Sequence, residues 1–246
     1  MSTVPTAAAG RPLAVSAALA VVAHPDDESF GLGAVLAGLL DDGIQVTAVC
    51  FTHGEASTLG AERVDLRGVR ARELADASRA LGIGDVELLD YPDGRLAETP
   101  IGELADRVGE VADRHGAELL VVFDEGGVTG HPDHEHATRA ALVTAARLDL
   151  PVLAWTVLEP VAAKLNAEFA TAFVGRSSDQ VDLTLTVDRA RQLTAVACHR
   201  TQSHGNPVLW RRLELTGNRE PLRWLRPPGS TSSRPVHDRH SASGGG

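Results

Sequence analysis

Residues 17–28 read AALAVVAHPDDE, an apolar run followed directly by a charged loop. The apolar run at 17–22 predicts a buried strand, bounded upstream by the turn signal Gly10-Arg11-Pro12. Residues 30–40 are again dense in apolar side chains and predict a helix that packs on the sheet. The charged loop therefore lies at the carboxyl end of a strand, where open α/β sheets place their ligands.

The rest of the chain alternates in the same way. Strands are predicted at 44–51, 86–89, 119–123, 152–157 and 181–187, and helices at 70–81, 101–115, 133–148 and 188–198. Periodicity does not decide between helix and loop at 159–176. We expect one α/β domain over residues 15–226, with a Rossmann-like, open, mostly parallel sheet and helices on both faces. The segments 1–14 and 227–246, the latter with His237 and His240, are expected to be a flexible N-terminus and a disordered tail.

Composition excludes several classes of protein. The chain has 246 residues, 43% of them hydrophobic, which is enough for one sizeable core. The net charge of -10 argues against nucleic acid or an anionic membrane as a partner. No apolar run reaches the ~18 residues of a membrane span, and residues 1–10 lack the pattern of a signal peptide. A cytoplasmic location is therefore expected.

The loop after the first strand has the spacing of a metal site. His24 and Asp27 lie three residues apart. If the backbone turns at Pro25, whose ring fixes φ, their side chains can converge on one point. An imidazole and a carboxylate supply two of the three protein ligands of a common zinc site, and Asp26 remains free beside them.

A second loop repeats this theme. The strand predicted at 119–123 is followed by a glycine-containing loop and then by His131-Pro132-Asp133-His134. If a parallel sheet places the two strands side by side, the second loop can contribute one more histidine to the same ion. We choose His134 as the third ligand.

The two motifs together resemble the PIG-L (LmbE-like) family of zinc-dependent N-deacetylases, which remove acetyl groups from N-acetylglucosamine units. The family motifs AHPDDE and HPDH match residues 23–28 and 131–134 without substitution. The resemblance implies that His24, Asp27 and His134 hold Zn²⁺, that Asp26 is the general base, and that protonated His131 stabilises the oxyanion. Fe²⁺ or another divalent ion is the alternative, because His and carboxylate ligands suit several metals.

The resemblance also implies two substrate contacts. An Arg-x-x-Glu motif in the family supplies a sugar-binding arginine, here Arg70, and an aspartate near Asp93 binds sugar hydroxyls. Each has a simpler interpretation: Arg70 and Glu73 form an i,i+3 pair on a solvated helix face, and Asp93 belongs to a Pro-Asp-Gly turn. Where some members carry a catalytic tyrosine the chain has Thr129, so that role does not transfer.

Other polar residues near the motifs have structural explanations. Asp133 stands where an N-cap would, with a contact to a histidine as an addition. His199 at a helix end is explained by the helix dipole or by a place in the pocket, and His53 by solvent or by substrate. His136 lies on a different helix face from His134 and is expected to be a bystander.

The favoured function is de-N-acetylation of an N-acetylglucosamine-type conjugate, a small molecule. A carboxylate of pKa ~3.9 is a poor base toward bulk water at ~15.7, whereas zinc lowers the pKa of a bound water to about 7. Two alternatives stay open: an amidase acting on a thiol conjugate or another non-sugar amide, and a metal-bound binding module without turnover. The sequence does not indicate the aglycone or the oligomeric state.

Overall fold

The computed structural model describes residues 14–59 and 65–229. The predicted flexible N-terminus, apart from Ala14, and the predicted tail from residue 230 onward, with His237 and His240, lie outside the described residues. The domain boundaries therefore stay a prediction. Within the described part of the chain, no helix combines the length and the apolar character needed to cross a bilayer.

Seven strands form one sheet in the order β3-β2-β1-β4-β5-β7-β6. The strands are β1 (Ala17–Val22), β2 (Gln45–Thr52), β3 (Asp85–Tyr91), β4 (Leu119–Phe123), β5 (Val152–Trp155), β6 (Leu183–Thr186) and β7 (Arg219–Arg226). The first five run parallel, whereas β7 is antiparallel to both β5 and β6. The predicted open, mostly parallel α/β sheet is confirmed.

Helices cover both faces of this sheet. They are α1 (Asp27–Phe30), α2 (Gly33–Asp41), α3 (Leu66–Leu81), α4 (Ile101–His115), α5 (Pro132–Leu148), α6 (Glu159–Phe169), α7 (Ala190–Cys198), α8 (Arg200–Ser203) and α9 (Pro207–Thr216). The central strand β1 is buried on both sides, so its alternate residues enter two different cores. Ala18 and Ala20 pack with α2 and α3, while Leu19 and Val21 pack with α4 and α5.

The structure differs from the sequence-based elements at several places. The helix predicted at 30–40 corresponds to α2, which begins only at Gly33, after the short helix α1 in the charged loop. The undecided segment 159–176 contains α6. The helix predicted from Asp188 begins at Ala190, although Asp188 Oδ1 does accept a hydrogen bond from the Ala190 N–H at 3.0 Å. Residues 206–226, for which no element was predicted, supply α9 and the antiparallel strand β7.

Candidate active site

The first strand and the fourth are neighbours in the sheet, so the loops that follow them meet at one edge. His24 and Asp27 come from the loop after β1, and His134 lies in the first turn of α5, which follows β4. His24 Nδ1 lies 3.1 Å from His134 Nε2, and Asp27 Oδ1 lies 3.1 Å from the same His134 nitrogen. The three predicted metal ligands are therefore brought together, and all three are buried.

Both histidines present a lone pair to this point because their other ring nitrogens are engaged elsewhere. His134 Nδ1 lies 3.1 Å from the carbonyl oxygen of Gly127, which can only accept, so this nitrogen carries the proton. His24 Nε2 faces two carboxylates, Asp93 Oδ1 at 3.1 Å and Asp133 Oδ2 at 3.4 Å, without the alignment of a directed hydrogen bond. Outer carboxylates and carbonyls of this kind orient metal-binding imidazoles.

The donor set fits a divalent ion with an open coordination position. Two imidazole nitrogens and one carboxylate match three-ligand catalytic zinc sites, in which a water or the substrate takes the fourth place. A second grouping, His24 with His131 and Asp133, also lies within ligand distance. It is less suitable, because His131 Nδ1 already accepts from the Asp133 N–H and the Asp133 carboxylate accepts from two backbone N–H groups.

The buried charges stabilise one another strongly. Burial lowers the pKa of His24, but Asp133, Asp93 and Asp27 raise it, and the resulting pKa is about 10. Burial raises the pKa of Asp27, but His134 and His24 together hold it well below its usual range. Asp27 Oδ2 also accepts from the His24 N–H at 2.9 Å. A metal ion that binds here would displace the proton of His24, and the lone pair of its Nδ1 would then face the same point as His134 Nε2 and the Asp27 carboxylate.

Asp26 points away from its neighbour Asp27, as its position in the loop predicted. Its Oδ2 accepts from Arg70 Nη2 at 3.0 Å, and it lines the same cavity as the three ligands. Its backbone is unusual for a residue other than glycine, with φ 128°. Burial raises the pKa of Asp26 to about 6, Arg70 opposes this shift, and Asp27 adds to it.

Arg70 is not a surface residue, and the interpretation as an exposed i,i+3 pair is wrong. Its side chain is buried and donates to the Pro25 and Gly54 carbonyl oxygens as well as to Asp26. Its expected partner Glu73 is also buried and instead accepts from the Thr201 N–H and hydroxyl. Arg70 thus fixes both the backbone and the carboxylate of the residue that could act as a base.

A second buried pair holds Asp26 from the other side. His199 Nε2 lies 2.6 Å from Glu28 Oε1, and Glu28 Oε2 accepts from the Asp26 N–H at 2.9 Å. Both side chains are fully buried, and neither is among the residues that line the cavity. His199 therefore lies at a helix end, as the C-cap of α7, but it is buried and is not in the pocket wall. The carboxylate of Glu28 in the AHPDDE motif was the sequence signal for this pair.

The expected N-cap of α5 was misplaced by two residues. His131 is the N-cap, and its Nδ1 accepts from the N–H of Asp133 at 3.1 Å. The Asp133 carboxylate instead accepts from the Gly94 and Leu96 N–H groups and faces His24. Asp133 is consequently the residue that ties the metal-site histidine to the loop after β3.

The same hydrogen bond decides which nitrogen of His131 carries a proton. An Nδ1 that accepts must be unprotonated, so the proton of the neutral ring is on Nε2. Burial and the neighbouring His24 and His134 lower the pKa of His131. This geometry favours a neutral His131 with one N–H donor over the protonated ring that the family resemblance implies.

Asp93 lies in the cavity wall, close to the metal-ligand histidine. Its Oδ1 is 3.1 Å from His24 Nε2, and its Oδ2 accepts from the Ala56 N–H at 2.8 Å. Its own N–H donates to Glu55 Oε1 at 3.2 Å. The predicted Pro-Asp-Gly turn is present, because the Arg95 N–H donates to the Pro92 carbonyl oxygen at 3.3 Å, and this turn places Asp93 beside the site.

The remaining candidates have simple structural partners. His53 Nε2 lies 3.0 Å from Asp90 Oδ1 and does not line the cavity, and His136 Nδ1 lies 3.0 Å from its own helix carbonyl at Pro132. Thr129, at the position of the family tyrosine, does line it, and its hydroxyl is 2.9 Å from His134 Nδ1. Thr129 therefore contacts a metal ligand and does not extend a phenol into the cavity.

A cavity of about 350 Å³ opens beside the ligands. One side is polar and contains Arg70 and Asp93, while the other is an apolar wall that includes Phe123 and Trp155, with Arg212 at its edge. Sequence analysis did not identify these last three residues. Phe123 is the last residue of β4, which precedes the loop with His131, and Trp155 is the last residue of the neighbouring strand β5. Their positions at strand ends were the sequence feature that could have identified them.

Comparisons with known proteins agree with this geometry. The PIG-L family model, described as GlcNAc-PI de-N-acetylase, matches residues 19–146. A probable N-acetyl-alpha-D-glucosaminyl L-malate deacetylase 2 of Bacillus cereus is 30% identical over 75% of this chain and 83% of its own length. A 1D-myo-inositol 2-acetamido-2-deoxy-alpha-D-glucopyranoside deacetylase of Nakamurella multipartita is 32% identical over 75% of this chain and 78% of its own.

A solved structure supports the fold independently. A deacetylase of the teicoplanin biosynthesis pathway superposes with a TM-score of 0.66 at 21% identity, over 87% of this chain and all of its own. At that identity the likeness concerns the fold alone.

Proposed function

The chain belongs to the PIG-L family of de-N-acetylases, and from that premise we propose that it removes the N-acetyl group from an N-acetylglucosamine-type conjugate with the aid of Zn²⁺. The relatives named above act on different conjugates of the same acetylated amino sugar, one with malate and one with inositol. The sugar is what they share, so it is the part of the substrate that we carry over. A cytoplasmic location stays a prediction.

The observation that carries this proposal is a carboxylate left free beside a complete ligand set. His24, Asp27 and His134 converge on one point, and Asp26 faces the same cavity without joining them. Burial of a free carboxylate is unfavourable, and here Arg70 compensates it. A site that only bound a metal would not need such a group, whereas a hydrolase needs it to move a proton.

The three ligands would hold the ion, which when bound acidifies a water molecule and polarises the acetyl carbonyl. Asp26 accepts the proton of the attacking water. Its pKa of about 6, raised chiefly by burial, makes it a stronger base than an exposed aspartate. Asp26 then returns the proton to the amine as the carbon–nitrogen bond breaks.

The oxygen that becomes negative during attack needs a hydrogen-bond donor. His131 lines the cavity. Its Nδ1 accepts a hydrogen bond from the Asp133 N–H, so its Nε2–H is available as a donor. A neutral imidazole can donate this bond without changing its protonation state. His131 therefore acts as an electrophilic donor, and Asp26 performs both proton transfers.

On the polar side of the cavity, Arg70 and Asp93 lie where a sugar would be held. Asp93 offers carboxylate oxygens to hydroxyl groups, because charge-assisted hydrogen bonds are the stronger ones. Arg70 already makes three hydrogen bonds to the protein, so its main effect is to orient Asp26. We therefore assign sugar binding chiefly to Asp93, with Arg70 as a positioning residue that also lines the cavity.

The test is release of primary amine from a panel of N-acetylglucosamine conjugates and simple N-acetyl amides, with metal-free protein reloaded with zinc or Fe²⁺. Amine from a sugar conjugate, absent in an Asp26→Asn variant, supports the proposal. Activity confined to non-sugar amides would show an amidase instead. Metal binding without amine from any substrate would favour the binding module.

A further inference from the structure

An aromatic wall begins at a metal ligand and continues along the cavity. The Phe123 ring centroid lies 4.8 Å from that of His134, and the Trp155 ring lies 5.0 Å from Phe123. All three residues line the cavity. A substrate with its amide at the metal site can therefore place an apolar group against two successive rings.

The wall ends at a buried cation. Arg212 also lines the cavity, and its guanidinium carbon lies 5.0 Å from the centre of the Trp155 ring. Its side chain is only 3% exposed. One nitrogen, Nη2, donates to the Phe30 carbonyl oxygen, but Nη1 is buried and has no hydrogen-bond partner among residues 14–59 and 65–229. Such a donor is an exception, because buried polar groups are normally paired.

No acidic side chain in the described part of the chain forms an ion pair with this guanidinium. The nearby buried carboxylate, Glu220, accepts from Trp155 Nε1 at 2.7 Å and from Arg189 Nη1 at 2.5 Å. Burial lowers the pKa of Arg212 to about 10, which still leaves it charged at neutral pH. A buried cation without its own counter-ion is costly in a protein interior unless a ligand completes its pairing.

We propose that Arg212 binds a carboxylate on the aglycone of the substrate, and that the apolar part of this aglycone lies against Phe123 and Trp155. The inference rests on the proposed deacetylase function and names the class of conjugate. The acetyl group is too short to follow two rings, and the sugar is assigned to the polar side of the cavity with Asp93, so the group on the wall belongs to the aglycone. One guanidinium with one free nitrogen matches a singly charged carboxylate better than a dianionic phosphate, whose second charge would be buried unpaired.

The test compares three aryl glycosides of N-acetylglucosamine, carrying a phenyl, a carboxyphenyl or a phosphophenyl group. We measure kcat/KM for each with the wild type and with R212M, R212K and R211M. Arg211 is the matched control, because it is the adjacent residue but pairs with Glu168 on the surface. Melting temperatures establish that each variant is folded.

For the wild type we expect the carboxyphenyl glycoside to be preferred over the phenyl glycoside by roughly tenfold or more, the size of one charge-assisted hydrogen bond. The preference should disappear in R212M, shrink in R212K, whose ammonium lacks the planar fork, and persist in R211M. If R212M does not fold, the test rests on the smaller preference for the carboxyphenyl glycoside in R212K.

Several results would overturn the inference. Deacetylation of all three glycosides at similar kcat/KM would refute the inference while leaving the deacetylase function intact. A preference for the carboxyphenyl glycoside that survives in R212M would do the same. A preference for the phosphophenyl glycoside would refute the assignment of a carboxylate. If the zinc-loaded wild type deacetylates none of the three glycosides, the proposed function fails, and this inference fails with it.

Discussion

Two adjacent carboxylates, Asp26 and Asp27, have opposite surroundings and therefore different chemistry. Asp27 faces His24 and His134 and accepts from two backbone N–H groups, so its pKa lies below the usual range. Asp26 faces the cavity, its carboxylate pairs with Arg70, and burial raises its pKa to about 6. At the scale of single residues, this difference supports the proposed roles of Asp27 as a metal ligand and Asp26 as a base.

The clearest single-residue prediction concerns Asp26→Asn. The amide keeps the size of the side chain but cannot accept the proton, so we expect kcat to fall by about 10²- to 10⁴-fold. Zinc content should stay at the wild-type level, because Asp26 is outside the ligand set. Metal analysis and steady-state kinetics on one preparation check both statements, and a loss of zinc would show that Asp26 is a ligand.

A second prediction concerns Arg70→Lys. A lysine cannot reach the Pro25 and Gly54 carbonyls and Asp26 together, so the carboxylate loses its fixed orientation. We expect kcat to fall by roughly tenfold, with a smaller change in KM, because misplacing a catalytic group affects the chemical step.

Arg67→Lys is the matched control for this change. Arg67 lies on the same helix but is partly exposed and pairs with Asp90, away from the cavity. Its kinetics should match the wild type. A change in KM alone for Arg70→Lys would mean that Arg70 binds substrate and does not position Asp26.

At the scale of elements, the junction of α1 and α2 has to approach the aromatic wall closely. A Cβ added at Gly31 would lie 2.4 Å from Phe123 and 3.1 Å from Trp155. Gly31→Ala should therefore lower the free energy of unfolding by about 1–3 kcal/mol, through overpacking of a closely packed interior. Because Phe123 packs on His134, zinc affinity should fall as well.

Gly38 in α2 provides the matched control for Gly31→Ala. A Cβ at Gly38 would have no atom within 4 Å, and the residue lies inside a helix. Gly38→Ala is expected to raise stability by about 0.5–1 kcal/mol, because alanine is the better helix former. Denaturant unfolding of both variants measures the contrast, and equal effects would contradict the proposed clash.

The elements that carry the motifs could be predicted from the sequence. The strands at 17–22 and 119–123 and the helix at 101–115 have the predicted bounds, because long apolar runs and amphipathic periods are unambiguous. The end of α5 that holds His134 was misread by two residues. An Asp at a helix start usually caps it, and the competing demand of His24 for a carboxylate is a tertiary contact that spacing does not reveal.

At the scale of the whole molecule, β7 lies next to β5 and runs antiparallel to it. The strand β7 comes late in the chain but pairs with β5, so residues 206–226 complete one side of the sheet. Its alternation is weak because Glu220 and Arg223 point to buried or half-buried partners. Arg212 of α9 reaches the cavity, and His199 at the end of α7 reaches Glu28. Both are tertiary contacts that the sequence could not predict.

One buried ion pair connects β7 to the start of α7. Glu220 is fully buried and pairs with Arg189, whose side chain is only 11% exposed. Arg189→Met would leave the carboxylate without its cation, and we expect a loss of about 3–5 kcal/mol in the free energy of unfolding. The same change at Arg211, which pairs with Glu168 on the surface, should have little effect, and similar losses in the two variants would contradict the account.

Removal of the metal should also be visible in the whole molecule. His24 and Asp27 come from the loop after β1 and His134 from α5, so the three ligands are brought together only in the folded chain. A ligand that binds only the folded state stabilises it by about 2.7 kcal/mol at a hundred times its Kd. Thermal unfolding should therefore shift to lower temperature in a chelator and return on addition of zinc.

The most direct test of the central claim is to measure zinc content and amine release together for the wild type, Asp26→Asn and Asp27→Asn. We predict one zinc ion per chain with activity in the wild type, one zinc ion without activity in Asp26→Asn, and neither in Asp27→Asn. Zinc retained in Asp27→Asn, or full amine release by Asp26→Asn, would contradict the assignment of one aspartate to the metal and the other to the proton.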